Sequence, residues 1–329
     1  MDKHTQQILK DIKSIKIQGA TNVAKASIDA LSLVSKKFIH QSPTTFIKEI
    51  KKIAHQLAWA RPDEPLNQNL IKFIITKAQS DRSKSIQNKI INFQNFCSQA
   101  INLILQNEKL ITDNGVELIK KISLKKKQNK KGRVVNIFTI CRSSSVANIL
   151  IKAHKQKIPI RVYNCETRPR YQGRIMSKTL TKAGISDILM TDAEGAFIIS
   201  RNDPDNINID LAIVGVDVIS TDGSVLNKIG TYSNALSAKT AHIPFYTAAS
   251  LLKIKRNISS YRKIKIEKRD PTELWQRSLK GMKILNYAFD TVPHNYITGF
   301  ITEFGIIKPN KIMTIAKKQY QEIFKIINS

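Results

Sequence analysis

Residues 134–164 read VVNIFTICRSSSVANILIKAHKQKIPIRVYN, and this stretch decides the fold class. The run VVNIFTI (134–140) is apolar and rich in β-branched residues, as a strand covered on both faces should be. SSVANILIKAHK then spaces its apolar residues at helical period, and IRVYN (160–164) returns to strand. The pattern repeats downstream in DILMT (187–191), LAIVG (211–215) and PFYTAA (244–249). Between these runs lie the amphipathic segments RYQGRIMSKTLTKAG, DAEGAFIIS and SNALSAKTAH. Strand–helix–strand alternation implies right-handed crossovers and a parallel, doubly wound sheet. Ligands of such sheets sit beyond the carboxyl ends of the strands, so chemistry is to be sought just after each run.

Upstream, residues 3–125 carry a helical pattern opened by Ile8, Ile12, Ile15 and Ile17 and continued by LIKFIITKA, IQNKIINFQNFCSQAINLILQ and GVELIKKISL. Pro43, RPDEP (61–65) and DNG (113–115) interrupt it and are expected to be loops. The chain is therefore expected to be α/β, with a helical domain over 1–130 and an α/β domain over 131–329.

The 329 residues are 42% hydrophobic, enough for full cores and far from the composition of a disordered or collagenous chain. Three cysteines, Cys97, Cys141 and Cys165, show no CxxC and no metal-ligand spacing with histidine, which argues against a disulfide scaffold or a structural zinc. MDKHTQQILKDIK at the amino terminus has no apolar core of a secretion signal, and no apolar run has the length of a membrane span. The expectation is a cytoplasmic protein without membrane partners.

The formal charge of +29 is spread along the chain, with one dense run, KISLKKKQNKKGR at 121–133. Such a run reads as a solvated linker or helix end in preference to a dedicated nucleic-acid contact. The overall positive field attracts phosphorylated metabolites and makes their binding salt-sensitive.

Three segments after strands hold residues able to do chemistry. Cys141-Arg142-Ser143-Ser144-Ser145 precedes a helix, so backbone N–H groups, hydroxyls and an arginine make an anion site there, and the same field would favour Cys141 as thiolate. The competing reading is that Ser143 or Ser144 caps the helix and Cys141 fills space. Glu166-Thr167-Arg168-Pro169-Arg170 follows the second strand, where two arginines either fork a phosphate or form structural ion pairs. Asp217 ends an otherwise apolar strand and is a candidate proton donor, or else it caps a loop. Asp222 to Thr231 superficially resembles a phosphate-binding P-loop, but its Lys228 precedes the final glycine, and GxGxxG is absent, so no nucleotide cofactor is indicated.

NIFTICRSSSV, ETRPRYQG, IVGVDVISTDGSVLNKIGTYSNALSA, IEKRDPTELW and NYAFDTVPHNYITGFITEFGII, taken in this order, resemble the translation initiation factor 2B alpha/beta/delta family. IKIQGATNVA and LAWARPDEP extend the likeness, so it runs from about residue 7 to 310. That family also contains ribose-1,5-bisphosphate isomerase and methylthioribose-1-phosphate isomerase. The resemblance implies an amino-terminal helical domain, a carboxyl-terminal Rossmann-like domain with a parallel sheet, and homodimers or higher homo-oligomers. From the isomerases it implies Cys141 as base and Asp217 as acid, with substrate contacts at Arg61, Asn227, Lys228 and Lys253. The substrate would be a phosphorylated pentose, with no metal and no cofactor.

An aldose–ketose conversion of a sugar phosphorylated on its anomeric oxygen needs an acid at the ring oxygen and a base at C2, which a thiol and a carboxylate supply. This chain departs from the isomerases in two places. Gln18-Gly19-Ala20-Thr21 stands where they begin a phosphate-binding loop with arginine, and Ile140 and Arg142 flank the cysteine where they more often carry histidine and asparagine. Arg142 or Arg168 would restore the missing charge. Methylthioribose 1-phosphate, which lacks the second phosphate, would tolerate Gln18. The alternative reading is a regulatory subunit that binds initiation factor 2 and retains a sugar-phosphate or nucleotide pocket.

Overall fold

A computed structural model of the chain describes residues 1–128, 134–264 and 266–326. The expected domain boundary at 130/131, and the carboxyl-terminal part of the basic run, lie outside the described residues. The chain divides into two compact units: Met1–Asn107 with Leu252–Ile254 and Thr314–Ser329, and Glu108–Leu251 with Lys255–Met313.

The first unit is helical: α1 (Lys3–Lys13), α2 (Ala20–Ser35), α3 (Pro43–Ala58), α4 (Pro65–Ser80) and the first half of α5 (Ile86–Gln128). Ser42 caps α3, its hydroxyl accepting the Thr45 N–H at 3.1 Å, and Pro43 sits at the first helical position where its missing N–H costs nothing. Pro65 opens α4 in the same way, so RPDEP is the turn expected. Phe46 and Phe93, both fully buried, meet edge to face at 5.7 Å, and Ile28, Leu31, Ile50 and Leu70 of the same unit are fully buried as well.

The rest of the chain supplies β1 (Val135–Ile140), α6 (Ser144–Lys155), β2 (Ile160–Cys165), α7 (Gln172–Lys182), β3 (Ser186–Met190), α8 (Asp192–Ile199), β4 (Leu211–Val214), β5 (Val218–Ile219), β6 (Val225–Lys228), α9 (Thr231–Thr240), β7 (Phe245–Ala248), β8 (Phe289–Val292), β9 (Gly299–Thr302), β10 (Gly305–Ile307), α10 (Ile312–Gln319) and α11 (Gln321–Ile326). The main sheet has the order β10-β9-β7-β4-β1-β2-β3, parallel except for β10. Its order reverses at β1, beside β4. Strands alternate their side chains between the two faces. Ile137, Val162, Ile213 and Ile301 join Ile119 of α5, Ile149 and Leu150 of α6 and Leu180 of α7 in one core. Phe138, Cys165 and Phe245 are buried on the opposite side, where Gly195 of α8 approaches Cys165 and Phe138. Each such side chain contributes roughly 1.5–3 kcal/mol on burial.

The five expected strand runs are all present, and the doubly wound α/β arrangement holds. DNG is not a loop: Asp113, Asn114 and Gly115 lie inside α5. A Cβ on Gly115 would fall 2.5 Å from Ile149 Cδ1, so the glycine lets α6 press against the helix. Asn114 donates to the Thr302 carbonyl at 2.8 Å and Asp113 pairs with Lys152. The tripeptide's composition predicts a breaker, whereas its residues serve as a docking surface for α6 and β9. The second sheet, β5-β6-β8, is antiparallel, with Asn227 opposite Asp290 and Lys228 opposite Phe289.

Candidate active site

The sheet ladder between β1 and β2 ends at Ile140 opposite Cys165. Cys141 is the next residue, and its φ of +66° turns the chain sharply out of the strand toward α6. Its N–H, beyond the ladder, donates to Thr167 Oγ1 at 3.0 Å. Ser143 caps α6, accepting the Val146 N–H at 3.4 Å. A Cβ on Gly215 would lie 2.8 Å from the Ser143 Cβ, so the chain leaving β4 passes hard against this cap. Two residues on, Asp217 begins the β5–β6 hairpin, its N–H bonded to the Leu226 carbonyl at 3.0 Å.

The returning strand delivers Asn227 and Lys228 into a tight turn before α9. Asn227 is 5% exposed and its amide donates to Thr231 Oγ1 at 3.0 Å, so it braces the turn from inside. Gly230, with φ of +97°, brings that turn within 3.3 Å (Cβ position) of Ile140 Cδ1, the residue before the cysteine. The Lys228 ammonium lies 4.8 Å from the Phe289 ring centroid.

Burial pushes the Cys141 thiol above its ordinary range; Lys228 pulls it down, Asp217 pushes it up, and the Arg142 N–H bonded to the sulfur pulls it down. Lys228 and Asp217 therefore both lie within electrostatic reach of this one sulfur. Of the two readings of Cys141, the thiolate is the one opposed, because desolvation outweighs Lys228 and the Arg142 N–H. Cys141 keeps partial exposure, whereas Cys97 and Cys165 are buried, and burial pushes the Cys97 thiol up to about 12.

The second unit thus gathers Cys141, Arg142, Ser143, Asp217, Asn227 and Lys228 at the carboxyl ends of β1 and β4 and the neighbouring hairpin, with Arg142 exposed. The other predicted residues belong to the first unit. Gln18 and Gly19 lead into α2, Gly19 with φ of +81°, and Ala20 and Thr21 form its first turn. Arg61 bonds Glu64 Oε1 at 2.8 Å, and the Glu64 side chain is 3% exposed. Lys253 lies on the strip Leu252–Ile254, held on α4 by the Asn69 amide at 2.7 Å and 3.0 Å. The ETRPR arginines form structural contacts: Arg168 bonds the Tyr171 hydroxyl and Arg170 lies 3.7 Å from Glu273, while Glu166 pairs with Arg174 at 2.6 Å. Among the described residues no group of three or more His, Cys, Asp or Glu is placed to hold a metal ion, and no helix is long and apolar enough to cross a membrane.

Sequence reasoning passed over two acids here. Asp192 accepts the Thr167 N–H at 2.8 Å and the Arg168 N–H at 2.6 Å. Asp290 accepts the Gly230 N–H at 2.7 Å and the Tyr232 N–H at 3.0 Å through one oxygen, and its other oxygen is buried without a partner. Burial pushes Asp290 up to about 6, against the backbone N–H groups of Tyr232, Gly230 and Thr231 and the charge of Lys228. A raised carboxyl binds its proton more tightly folded than unfolded, so stability falls as pH rises from the ordinary carboxylate range to about 6. Asp290→Asn should therefore gain thermal midpoint relative to the parent on going from pH 5 to pH 7.5, readable by calorimetry.

The model of the Initiation factor 2 subunit family matches residues 16–309. The ribose 1,5-bisphosphate isomerase of Methanocaldococcus jannaschii is 30% identical over 317 residues, 96% of this chain and 95% of that one. The methylthioribose-1-phosphate isomerase of Escherichia coli is 37% identical over 220 residues, 60% of this chain and 57% of that one. Among solved structures, the Pyrococcus horikoshii translation initiation factor eIF-2B superposes with a TM-score of 0.77 at 24% identity, covering 95% of this chain and 100% of the other, a likeness of fold.

Proposed function

This chain belongs to the Initiation factor 2 subunit family, and from that premise we propose that it is an aldose–ketose isomerase of a pentose phosphorylated at C1, ribose 1,5-bisphosphate first. The observation that carries the proposal is the single sulfur of Cys141, set in a left-handed turn at the end of β1 and acted on by both Lys228 and Asp217. The likeness to the M. jannaschii isomerase along nearly the whole of both chains supports that choice of substrate.

The phosphate on the anomeric oxygen blocks a free aldehyde, so the ring opens only if its oxygen gains a proton as C2 loses one. Asp217 supplies the first and Cys141 accepts the second, leaving an enol between C1 and C2. The thiol then returns its proton to C1 while the C2 hydroxyl gives its own to the Asp217 carboxylate, which gives the ketose and restores both groups. C2 is oxidised and C1 reduced within one molecule, so no external electron carrier enters. Lys228 stabilises the oxygen charge that develops at C2.

The raised thiol sets the pH dependence. The base works as thiolate, and at neutral pH only a small fraction of a thiol raised in this way is ionised. Hence alkylation of Cys141 by iodoacetamide should quicken by about tenfold per pH unit from pH 6 to pH 9, since the reacting thiolate fraction grows with hydroxide. Peptide mass spectrometry of the alkylated protein from pH 6 to 9 checks this, and a rate flat over that range would contradict a raised Cys141 thiol. The function itself is tested by following ketose formation from ribose 1,5-bisphosphate and methylthioribose 1-phosphate by NMR; no ketose from either overturns it.

A further inference from the structure

Beyond Ile140 the β1–β2 ladder has run out, and the Cys141 N–H has no strand partner. The Thr167 hydroxyl takes its place, accepting that N–H at 3.0 Å and donating to the Cys165 carbonyl at 3.1 Å. Thr167 is 1% exposed, so water does not compete for either bond. Its own φ is +64°, against +66° for Cys141. A β-branched residue in this region is strained, and such strain persists only where neighbours over-determine it. Here the Asp192 carboxylate does so, one oxygen on the Thr167 N–H and the other on the Arg168 N–H, at 2.8 Å and 2.6 Å. Asp192 itself is fixed as the first residue of α8, whose start is closed by the reciprocal bonds of Thr191 and Glu194.

We infer that Thr167 is a positioning residue for Cys141: its hydroxyl, fixed through the backbone by Asp192, holds the cysteine in the left-handed turn that sets where the thiol stands. The charge of Asp192 pushes the thiol up, opposing thiolate formation, so the clamp serves geometry and not activation. The inference rests on the isomerase reading only for its kinetic consequence.

Thr167→Val keeps the β-branch and removes the hydroxyl; Thr167→Ser keeps the hydroxyl. The two variants and the parent are compared in two measurements: alkylation of Cys141 by iodoacetamide at pH 9, read by peptide mass spectrometry, and kcat and KM on ribose 1,5-bisphosphate. Thr167→Val should be alkylated at Cys141 at least about fivefold faster as the turn loosens, with kcat lower by about 10–100-fold and KM within about threefold. Thr167→Ser should return both values to within about threefold of the parent. Alkylation and kcat of Thr167→Val within twofold of the parent, or Thr167→Ser impaired as severely as Thr167→Val, would overturn the inference. If the parent makes no ketose, the alkylation difference decides alone, its presence supporting the clamp and its absence refuting it. Should Thr167→Val fail to fold, Thr167→Ser carries the test, and a shifted alkylation rate in it refutes the role of the hydroxyl.

Discussion

Replacing Cys141 by serine is expected to lower kcat on the sugar phosphate by about 10²–10⁴-fold while leaving KM within about threefold. The substitution changes one atom, so the left-handed turn, the bond to Thr167 and the approach of Gly215 to Ser143 all remain. What changes is the proton affinity and nucleophilic character of the group: a serine hydroxyl under the same burial has almost no ionised fraction at any working pH. Asp217→Asn removes the proton donor and should cost a similar factor. The double variant should be little worse than either single one, because an acid and a base that serve one ring opening are not additive. Equal turnover in parent and Cys141→Ser would leave the fold and the family intact and remove the thiol from the chemistry.

Gly173→Ala is expected to unfold the second unit or to lower its thermal midpoint by more than about 10 °C. A Cβ at this position would stand 1.7 Å from the Cys165 carbonyl oxygen and 2.8 Å from the backbone carbons of Cys165 and Glu166. All three are backbone atoms at the end of β2, so no side chain can rotate away. The first turn of α7 must separate from the strand, breaking the Gly173 N–H bond to the Glu166 carbonyl at 3.1 Å and the Asn164 amide bond to the Gly173 carbonyl at 2.8 Å. A clash of this kind with two lost bonds costs on the order of 4 kcal/mol or more. Gly281→Ala is the control: with φ of +87° and nothing within 4 Å, it should lose only about 1 kcal/mol, from backbone strain alone. Differential scanning calorimetry separates the two, and comparable midpoints would mean that α7 does not abut β2 as described.

The parts of the fold legible in the sequence are those set by period. VVNIFTI, IRVYN, DILMT, LAIVG and PFYTAA became strands because each is short and dense in residues that suit a sheet covered on both faces, and SSVANILIKAHK became α6 residue for residue. The small sheet was not legible. Val218–Ile219 is two residues long, and β8 pairs with β6 from more than sixty positions away, so neither offers a pattern of its own. DNG misled for a related reason: its composition signals a turn, and only the packing of Ile149 and the bond to the Thr302 carbonyl explain why it stays helical. Leu252–Ile254 groups with the amino-terminal helices, and the Asn69 amide of α4 that bonds the Leu252 and Ile254 carbonyls has no sequence signature.

At the site, Cys141 and Asp217 stand out by residue type and position after strands, where chemistry is expected, while Lys228 enters only through the resemblance to the isomerases. The protonation of Cys141 is not legible, since the helix start that favours a thiolate is visible in sequence and the desolvation that opposes it is not. Thr167 lay in full view within ETRPR, but the arginines drew the reading. Its role depends on a hydroxyl reaching across two strand ends, which no linear pattern encodes.

The most direct measurement is the conversion of ribose 1,5-bisphosphate, followed by NMR at C1, with parent, Cys141→Ser and Asp217→Asn side by side at pH 8. A ketose methylene at C1 that grows with the parent and is reduced at least about a hundredfold with both variants is the predicted result. A parent that yields no ketose, or variants that keep pace with it, would contradict the account.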